Sequence, residues 1–296
     1  MPKIFLLMRK VLLIISLFCL TAIAGNAQRK RAFMVGISHY DTALTGYQWN
    51  NIHGAEDVRL LSPILKKQGF DLTTLTDEQA TFENITSQLS QFISKTRKGD
   101  IVYIHFSTHG QPVEDLDGDE ADGWDEAIVP IDAYKLYKKG VYEGKNHLID
   151  DQLNQYVKKL REKIGTSGFL YVVIDACHAG RAYKGFDDNT RGTRVGFSYN
   201  NKIFKPSPNK RTNYQIDSSP MMANVLFIEA CRSDQINMEI KVGDKLYGPL
   251  SFNISQALSS HSLSTDAEGF LNKVKASILN NGHWPNNQNM VIEKSF

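Results

Sequence analysis

Phe169-Leu-Tyr-Val-Val-Ile-Asp-Ala-Cys-His-Ala-Gly180 and, earlier in the chain, Asp100-Ile-Val-Tyr-Ile-His-Phe-Ser-Thr-His-Gly110 are built alike. Each is a short run of aliphatic, β-branched and aromatic residues that passes into small residues and a glycine. A run of that length without polar alternation reads as a strand covered on both faces, as parallel sheets are. Similar runs occur at Ala32–Ile37, Asp71–Leu75 and Asn224–Ala230. Helix-period segments alternate with them, at Ala55–Lys67, Phe82–Arg97, Asp150–Ile164, Pro249–Leu258 and Ala267–Asn280. Pro63 is expected to bend or restart the first of these helices. Alternation of this kind predicts an α/β protein with a central, mostly parallel sheet flanked by helices.

The two strands end in chemistry. Ligands of parallel sheets bind beyond the carboxyl ends of the strands, and there one run offers His109 before Gly110 and the other offers Cys177 between Ala176 and His178. A thiol and an imidazole at neighbouring strand tips can reach the two sides of one scissile bond. Imidazole titrates near neutral pH, so it can take and return a proton in each turnover. Two plainer readings stand beside this one. A cysteine at a strand end is often a small buried hydrophobe, and a histidine before glycine is often a turn residue. Zinc is a further alternative, because His105, His109, Cys177 and His178 are all ligand types. His105, however, sits inside its strand with no evident partner set.

Composition narrows the classes. The chain of 296 residues carries a net charge of +2, which argues against a dedicated nucleic-acid or membrane-surface binder. Its first residues resemble a secretory signal: Lys3, Arg9 and Lys10, then the apolar run Val11–Leu20, then small residues to Ala27. Removal of 1–27 takes those three cations away and brings the net charge to −1. The expected mature protein is therefore secreted or periplasmic, with one domain over 28–296. Cys19 leaves with the leader, so the mature chain keeps Cys177 and Cys231, too few for a disulfide framework. Two segments interrupt the α/β rhythm. Glu114–Glu126 is acidic and too polar for a core element, and Lys184–Pro220 is long, basic and without a period.

Three of these segments carry a family resemblance. Phe106-Ser-Thr-His-Gly110, with the acidic Asp115-Leu-Asp-Gly-Asp-Glu-Ala-Asp-Gly-Trp-Asp-Glu-Ala-Ile-Val-Pro-Ile-Asp132 behind it, resembles the histidine motif and acidic loop of metacaspases. Asp175-Ala-Cys-His-Ala-Gly180 is similar to their nucleophile motif, and Glu229-Ala-Cys-Arg-Ser-Asp-Gln235 to the motif that ends their last core strand. The motifs come in the family order between about Arg31 and the C-terminus.

The resemblance implies a caspase-like three-layer α/β sandwich and a cysteine endopeptidase that works through a thioester, with His109 and Cys177 as the dyad. It implies protein or peptide substrates and a monomer without nucleic-acid partners or an organic cofactor. The oxyanion would be held by the backbone N–H groups of Gly110 and Cys177. Asp57, Ser107 and Asp175 match positions of a pocket for Arg or Lys, so cleavage after a basic residue is expected. For Asp57 a helix N-terminal carboxylate is the competing explanation. Asp175 is harder to explain without a cation or a donor, because it ends an apolar strand.

Calcium is the cofactor the family suggests, here through Asp125, Asp150 and Asp151. The fourth family aspartate falls near Lys184, with only Asp187 and Asp188 close by. Asp115, Asp117, Asp119 and Glu126 also fit the spacing of a calcium-binding loop, but Glu120 stands where such a loop needs glycine and no helix precedes it. Asp150 fits equally as a helix cap. Lys184–Pro220 lies where related enzymes are nicked during activation, and its Lys184, Arg191, Arg194, Lys202, Lys205, Lys210 and Arg211 are candidate self-cleavage points. A clostripain- or gingipain-like peptidase, or a non-catalytic module that keeps the fold, are the alternatives.

Overall fold

The computed structural model describes residues 28–40, 42–46, 48–177, 190–205, 216 and 219–296. The expected leader, His178, Lys184, Asp187, Asp188, Lys210 and Arg211 lie outside these residues. A six-stranded sheet forms the centre, in the order β11-β8-β7-β3-β1-β2. Its parallel strands are β1 (Lys30–Gly36), β2 (Phe70–Thr76), β3 (Ile101–Ser107), β7 (Phe169–Asp175) and β8 (Asn224–Glu229). The edge strand β11 (Val291–Lys294) runs antiparallel to β8.

Successive residues of these strands feed two cores, which is why the runs read as continuously apolar. Phe33, Ile104, Phe106, Val172 and Ile174 face α2 (Phe82–Lys95) and α3 (Asp150–Ile164), meeting Leu89, Phe92, Leu153 and Leu160. Met34, Tyr103, Tyr171 and Val173 face α1 (Gly54–Lys67), α4 (Pro249–Ser260) and α5 (Ala267–Asn281), meeting Leu61, Leu65, Ile254 and Phe270. The result is the three-layer α/β/α sandwich that the sequence predicts.

Helix α1 runs without interruption across Pro63, so it is not restarted there. Three features depart from the sequence reading. Beyond β3 the chain leaves the main sheet and builds a second, antiparallel sheet from β4 (His109–Glu114), β5 (Trp124–Val129) and β6 (Leu148–Ile149). The segment Glu114–Glu126 is thus partly core: Trp124, Asp125 and Glu126 are buried, because β5 pairs with β4 along its length. A small hairpin of β9 (Ile240–Val242) and β10 (Lys245–Tyr247) precedes α4. No helix among the described residues is long and apolar enough to cross a membrane.

Candidate active site

Three strands end level with one another. Gly36, Ser107 and Asp175 are register partners across β1, β3 and β7. Two residues beyond Ser107 stands His109, and two beyond Asp175 stands Cys177, so adjacent tips bring imidazole and thiol to one end of the sheet. The His109 ring stacks on Trp49 at 4.9 Å and lies 4.7 Å from the ring of Tyr40. Its Nε2 is 2.8 Å from the carbonyl oxygen of Asn50. A carbonyl only accepts, so Nε2 carries the hydrogen and Nδ1 keeps the lone pair. Nδ1 is buried and has no hydrogen-bond partner among the described residues. Burial lowers the imidazole pKa to about 4 against the opposing pull of the Asn50 carbonyl, and the ring is therefore neutral near pH 7.

The Cys177 thiol donates to the Gln235 carbonyl at 2.9 Å. Cys231, the second free thiol, lies beside it, 3.8 Å from the same oxygen. Burial and the neighbouring Cys177 push the Cys231 thiol up, the hydrogen bond with Cys177 being the larger cause. His105 is no part of this group. It is buried inside β3, between the Tyr103 hydroxyl at 2.9 Å and the Ser251 hydroxyl at 3.1 Å.

The expected basic-residue pocket contains an arginine of the chain itself. Arg191 is fully buried. Its Nη1 donates to Ser107 Oγ at 2.5 Å and to the Asp175 carbonyl at 3.4 Å. Its Nη2 lies 2.8 Å from Asp57 Oδ2 and 2.8 Å from Glu239 Oε1. Asp175 is more distant, at 3.9 Å from Nη1, and its carboxylate is satisfied by Asn237 Nδ2, Ser251 N–H and Ser251 Oγ, each at 2.7 Å. Donors rather than a cation thus answer most of its burial cost. Asp57 does lie in the first turn of α1, and its carboxylate also takes part in the pocket, accepting from Ser107 Oγ at 2.6 Å and from Gly248 N at 3.1 Å. Gly248 has to be small, since a Cβ there would stand 2.1 Å from Asp175 Oδ2 and 2.6 Å from Arg191 Nη1.

The acids divide the cost of burial unequally. Desolvation pushes Asp57 up to about 7, with Arg191 pulling the other way. Glu239 is held low by Arg191 and His53 in spite of its burial. His53 donates its backbone N–H to Glu239 at 2.7 Å and places Nδ1 2.6 Å from the other carboxylate oxygen, an interaction that raises the imidazole pKa. Sequence reasoning found neither Glu239 nor His53. They belong to loops, and only the fold brings them together across 186 residues.

The backbone of the same arginine is bonded to the backbone just beyond both strand tips. Gly110 N–H donates to the Arg191 carbonyl oxygen at 3.2 Å and Cys177 N–H donates to it at 2.9 Å. Arg191 N–H donates to the Asn237 carbonyl at 3.0 Å, and Thr190 pairs with Met238 as in an antiparallel ladder. Beyond it, Gln111 Nε2 donates to the Val195 carbonyl at 2.7 Å, and Phe197 exchanges backbone bonds with Pro112 and Glu114.

The acidic residues sort into three neighbouring groups. Asp119, Asp125 and Asp151 form one, Glu120, Glu126 and Asp150 a second, and Asp115, Asp117 and Asp119 a third. The expected trio is divided between two of these groups: Asp125 and Asp151 meet Asp119, while Asp150 meets Glu120 and Glu126. The side chains of Asp150 and Asp151, adjacent in the first turn of α3, enter different groups. Burial and the surrounding carboxylates raise Asp125 to about 7, and Asp125 Oδ1 is buried without a hydrogen-bond partner among the described residues.

Comparison with known proteins agrees with this fold. A family model described as the caspase domain matches residues 29–293. Metacaspase-1B of Aspergillus fumigatus is 32% identical over 166 residues, which cover 52% of this chain and 36% of that protein. Metacaspase-1 of Schizosaccharomyces pombe is 24% identical over 275 residues, covering 79% of this chain and 60% of its own. The chain thus spans roughly a third to three-fifths of the length of the curated relatives named here. Among solved structures, a Geobacter sulfurreducens protein superposes with a TM-score of 0.60 at 20% identity over 90% of this chain and 93% of its own. Caspase-1 of Spodoptera frugiperda gives 0.50 at 14% identity, over 90% and 86%.

Proposed function

The chain belongs to the caspase-domain family, and from that premise we propose that it is an exported cysteine endopeptidase that cuts after arginine, with Cys177 as nucleophile and His109 as proton carrier. One observation carries the reading: a guanidinium fills the pocket of Asp57, Ser107, Asp175 and Glu239 while the carbonyl of the same residue accepts from Gly110 and Cys177. Two backbone N–H groups converging on one carbonyl oxygen are what an acyl-transfer site needs to hold developing negative charge. Lone-pair Nδ1 of a neutral His109 suits proton transfer between sulfur and leaving nitrogen.

The pocket favours arginine over lysine. Its partners divide between the two η nitrogens, Ser107 and the Asp175 carbonyl on one, Asp57 and Glu239 on the other, and a single ammonium cannot stand in both places. Peptide reporters ending in Arg, Lys and Asp test this directly. Arg is expected to be cleaved fastest and Asp not at all. Glu239→Gln is expected to narrow the Arg-to-Lys ratio about tenfold or more, the worth of one charge-assisted hydrogen bond. Equal turnover of Asp-ended and Arg-ended reporters would sink the pocket assignment.

The acidic groups fit calcium. The carboxylate oxygens of Asp119, Asp125 and Asp151 lie within 4.8 Å of one another, and the buried, unpartnered Asp125 Oδ1 is a hard oxygen donor of the kind calcium takes. Asp119, Asp125 and Asp151 would hold the ion, which would neutralise their mutual repulsion. Asp125 pairs with Val113 across β5 and β4, so the ion would brace the sheet from which His109 and Gly110 project. Calcium at a hundred times its dissociation constant is expected to stabilise the protein by about 2.7 kcal/mol, with a matching rise in Tm and in reporter turnover. Both gains are expected to vanish in Asp125→Ala. The same Tm and rate in chelator and in calcium would reject the site. The leader supports export, with the mature chain starting near residue 28.

A further inference from the structure

Two thiols follow the ends of neighbouring strands, and the peptidase reading gives work to one of them. Cys177 stands beyond β7 and Cys231 beyond β8, and these strands pair in register, with Ile174 opposite Glu229. The ladder continues one step further, Ala230 N–H donating to the Ile174 carbonyl at 3.0 Å. Cys177 Sγ lies 2.9 Å from the Gln235 carbonyl oxygen and Cys231 Sγ 3.8 Å from the same atom. The Cys231 thiol is also hydrogen-bonded to Cys177, and it lies 3.7 Å from the carbonyl of Ala176, the residue before the nucleophile. Each cysteine is 1% exposed and neither is in a disulfide. Adjacent strands run about 4.8 Å apart, inside the Cα separation that a disulfide spans.

Resting on the peptidase reading above, we propose that Cys231 is a resolving thiol for the nucleophile: a peroxide oxidises Cys177, and Cys231 closes a disulfide on it that silences the enzyme until a thiol reductant reopens it. A solitary nucleophilic cysteine in peroxide climbs from sulfenic to sulfinic acid, and the second step is not reversed by ordinary thiols. A neighbouring thiol competes with that step as an intramolecular reactant, at an effective concentration in the millimolar range or above. The pair thereby converts a permanent lesion into a recoverable state. Burial and the hydrogen bond with Cys177 raise the Cys231 pKa well above its ordinary value. A protonated thiol is a poor partner for peroxide, so the order of events is oxidation at Cys177 and resolution by Cys231.

The co-reactant is the peroxide, and the step balances with it. Cys177 sulfur bonds to one peroxide oxygen, the O–O bond breaks, and the other oxygen leaves as water with the thiol proton. Cys231 sulfur then bonds to the Cys177 sulfur, the S–O bond breaks, and the hydroxyl departs with the Cys231 proton as a second water. Each thiol has given up one electron, and the peroxide has taken both. The disulfide sulfur has no lone thiolate to offer a peptide carbonyl, so hydrolysis stops.

The turn that follows β8 holds the shared acceptor in place. Gln235 N–H donates to the Arg232 carbonyl at 3.0 Å, while its side-chain Oε1 accepts from Arg232 N at 3.3 Å and from Asn289 N at 2.8 Å. A fixed carbonyl that both thiols address keeps the two sulfurs together in the reduced enzyme. On oxidation that carbonyl loses both S–H donors, a cost the reduced pair does not carry, and the disulfide therefore stays open to reduction.

The test uses the chain from residue 28, reduced, with calcium present, and treated with equimolar hydrogen peroxide. A non-reducing digest is expected to join the peptide of Cys177 to that of Cys231, the joined mass short of two hydrogens. Hydrolysis of an Arg-ended reporter is expected to be lost in step with that product and to return in full on dithiothreitol. In Cys231→Ser, which keeps a donor for Gln235, and in Cys231→Ala, peroxide is expected to add oxygen at Cys177, and dithiothreitol to restore none of the activity once sulfinic acid has formed. Retained Tm in both variants separates loss of the resolving thiol from loss of the fold. Peroxide inactivation without the joined peptide overturns the proposal and leaves the peptidase reading standing. Recovery that is as complete in Cys231→Ser as in wild type, or full hydrolysis by the disulfide form, overturns it as well. A joined peptide in a chain that cleaves no reporter while reduced supports the thiol pair and overturns the peptidase reading.

Discussion

Alanine at Cys177 is expected to abolish measurable hydrolysis of an Arg-ended reporter, and alanine at His109 to lower kcat/KM by about 10²–10⁴-fold. The sulfur is the atom that accepts the acyl group, so nothing replaces it. The imidazole is one of two ways to protonate a leaving amine, solvent being the slower one, so its loss leaves a residue of activity. The double variant is expected to be no worse than Cys177→Ala alone, because the two groups act in one step. Burial keeps the His109 pKa near 4, so its neutral form prevails from about pH 5 upward and it sets no acid limb above that value. Steady-state kinetics across pH 5–9 on both variants provides the check. His109→Ala turning over reporter at the wild-type rate would remove the imidazole from the chemistry.

Asp57→Ala is expected to reduce kcat/KM for Arg reporters by about 10²–10³-fold, almost entirely through KM. Removing one partner of a buried charge pair costs roughly 3–5 kcal/mol, and Asp57 is completely buried against Nη2 of the arginine. The same residue predicts a pH effect. Its carboxyl lies at about 7 even with a guanidinium beside it. As pH falls through that value the acid takes up a proton, loses its charge and holds arginine less well, so KM rises on the acid side. In Asp57→Asn that acid limb is expected to disappear while the weaker binding persists at every pH. A limb unchanged in Asp57→Asn would assign it to another group, His53 and Glu239 being the next titratable pair in the pocket wall.

The parallel sheet was legible because burial on both faces leaves an uninterrupted apolar run. Phe169–Asp175 carries no polar residue before its last position, and its observed bounds agree with the expected ones. Strand β5 was not legible for the opposite reason. Trp124-Asp125-Glu126 looks like solvated loop until pairing with β4 supplies a reason to bury it. The short strands β9, β10 and β11 lack enough residues to show a period. Within the site, His109, Cys177, Ser107 and Asp175 could be singled out because motif and strand end coincide, and Asp57, at the start of α1, through the family resemblance alone. Glu239 could not, since an acid on a loop looks like any other until Arg191 and His53 close on it. Arg191 was visible only as one cation among seven. Its selection depends on where the loop returns to the sheet, which no local pattern encodes.

The central sheet draws β1, β2, β3 and β7 from before residue 191 and β8 and β11 from after it, with β7 and β8 hydrogen-bonded along their length. A nick at that residue, one of the candidate self-cleavage points, would therefore leave one particle in gel filtration and two bands on a denaturing gel. The thermodynamic change is larger than the appearance suggests. An intact chain that unfolds finds its own partner strands at the high effective concentration a tether provides, whereas two released pieces must meet by diffusion. Reassembly would become second order, and dilution would defeat it. Nicked enzyme that is once denatured in a dilute medium would stay lost, so its lifetime would be governed by its unfolding rate.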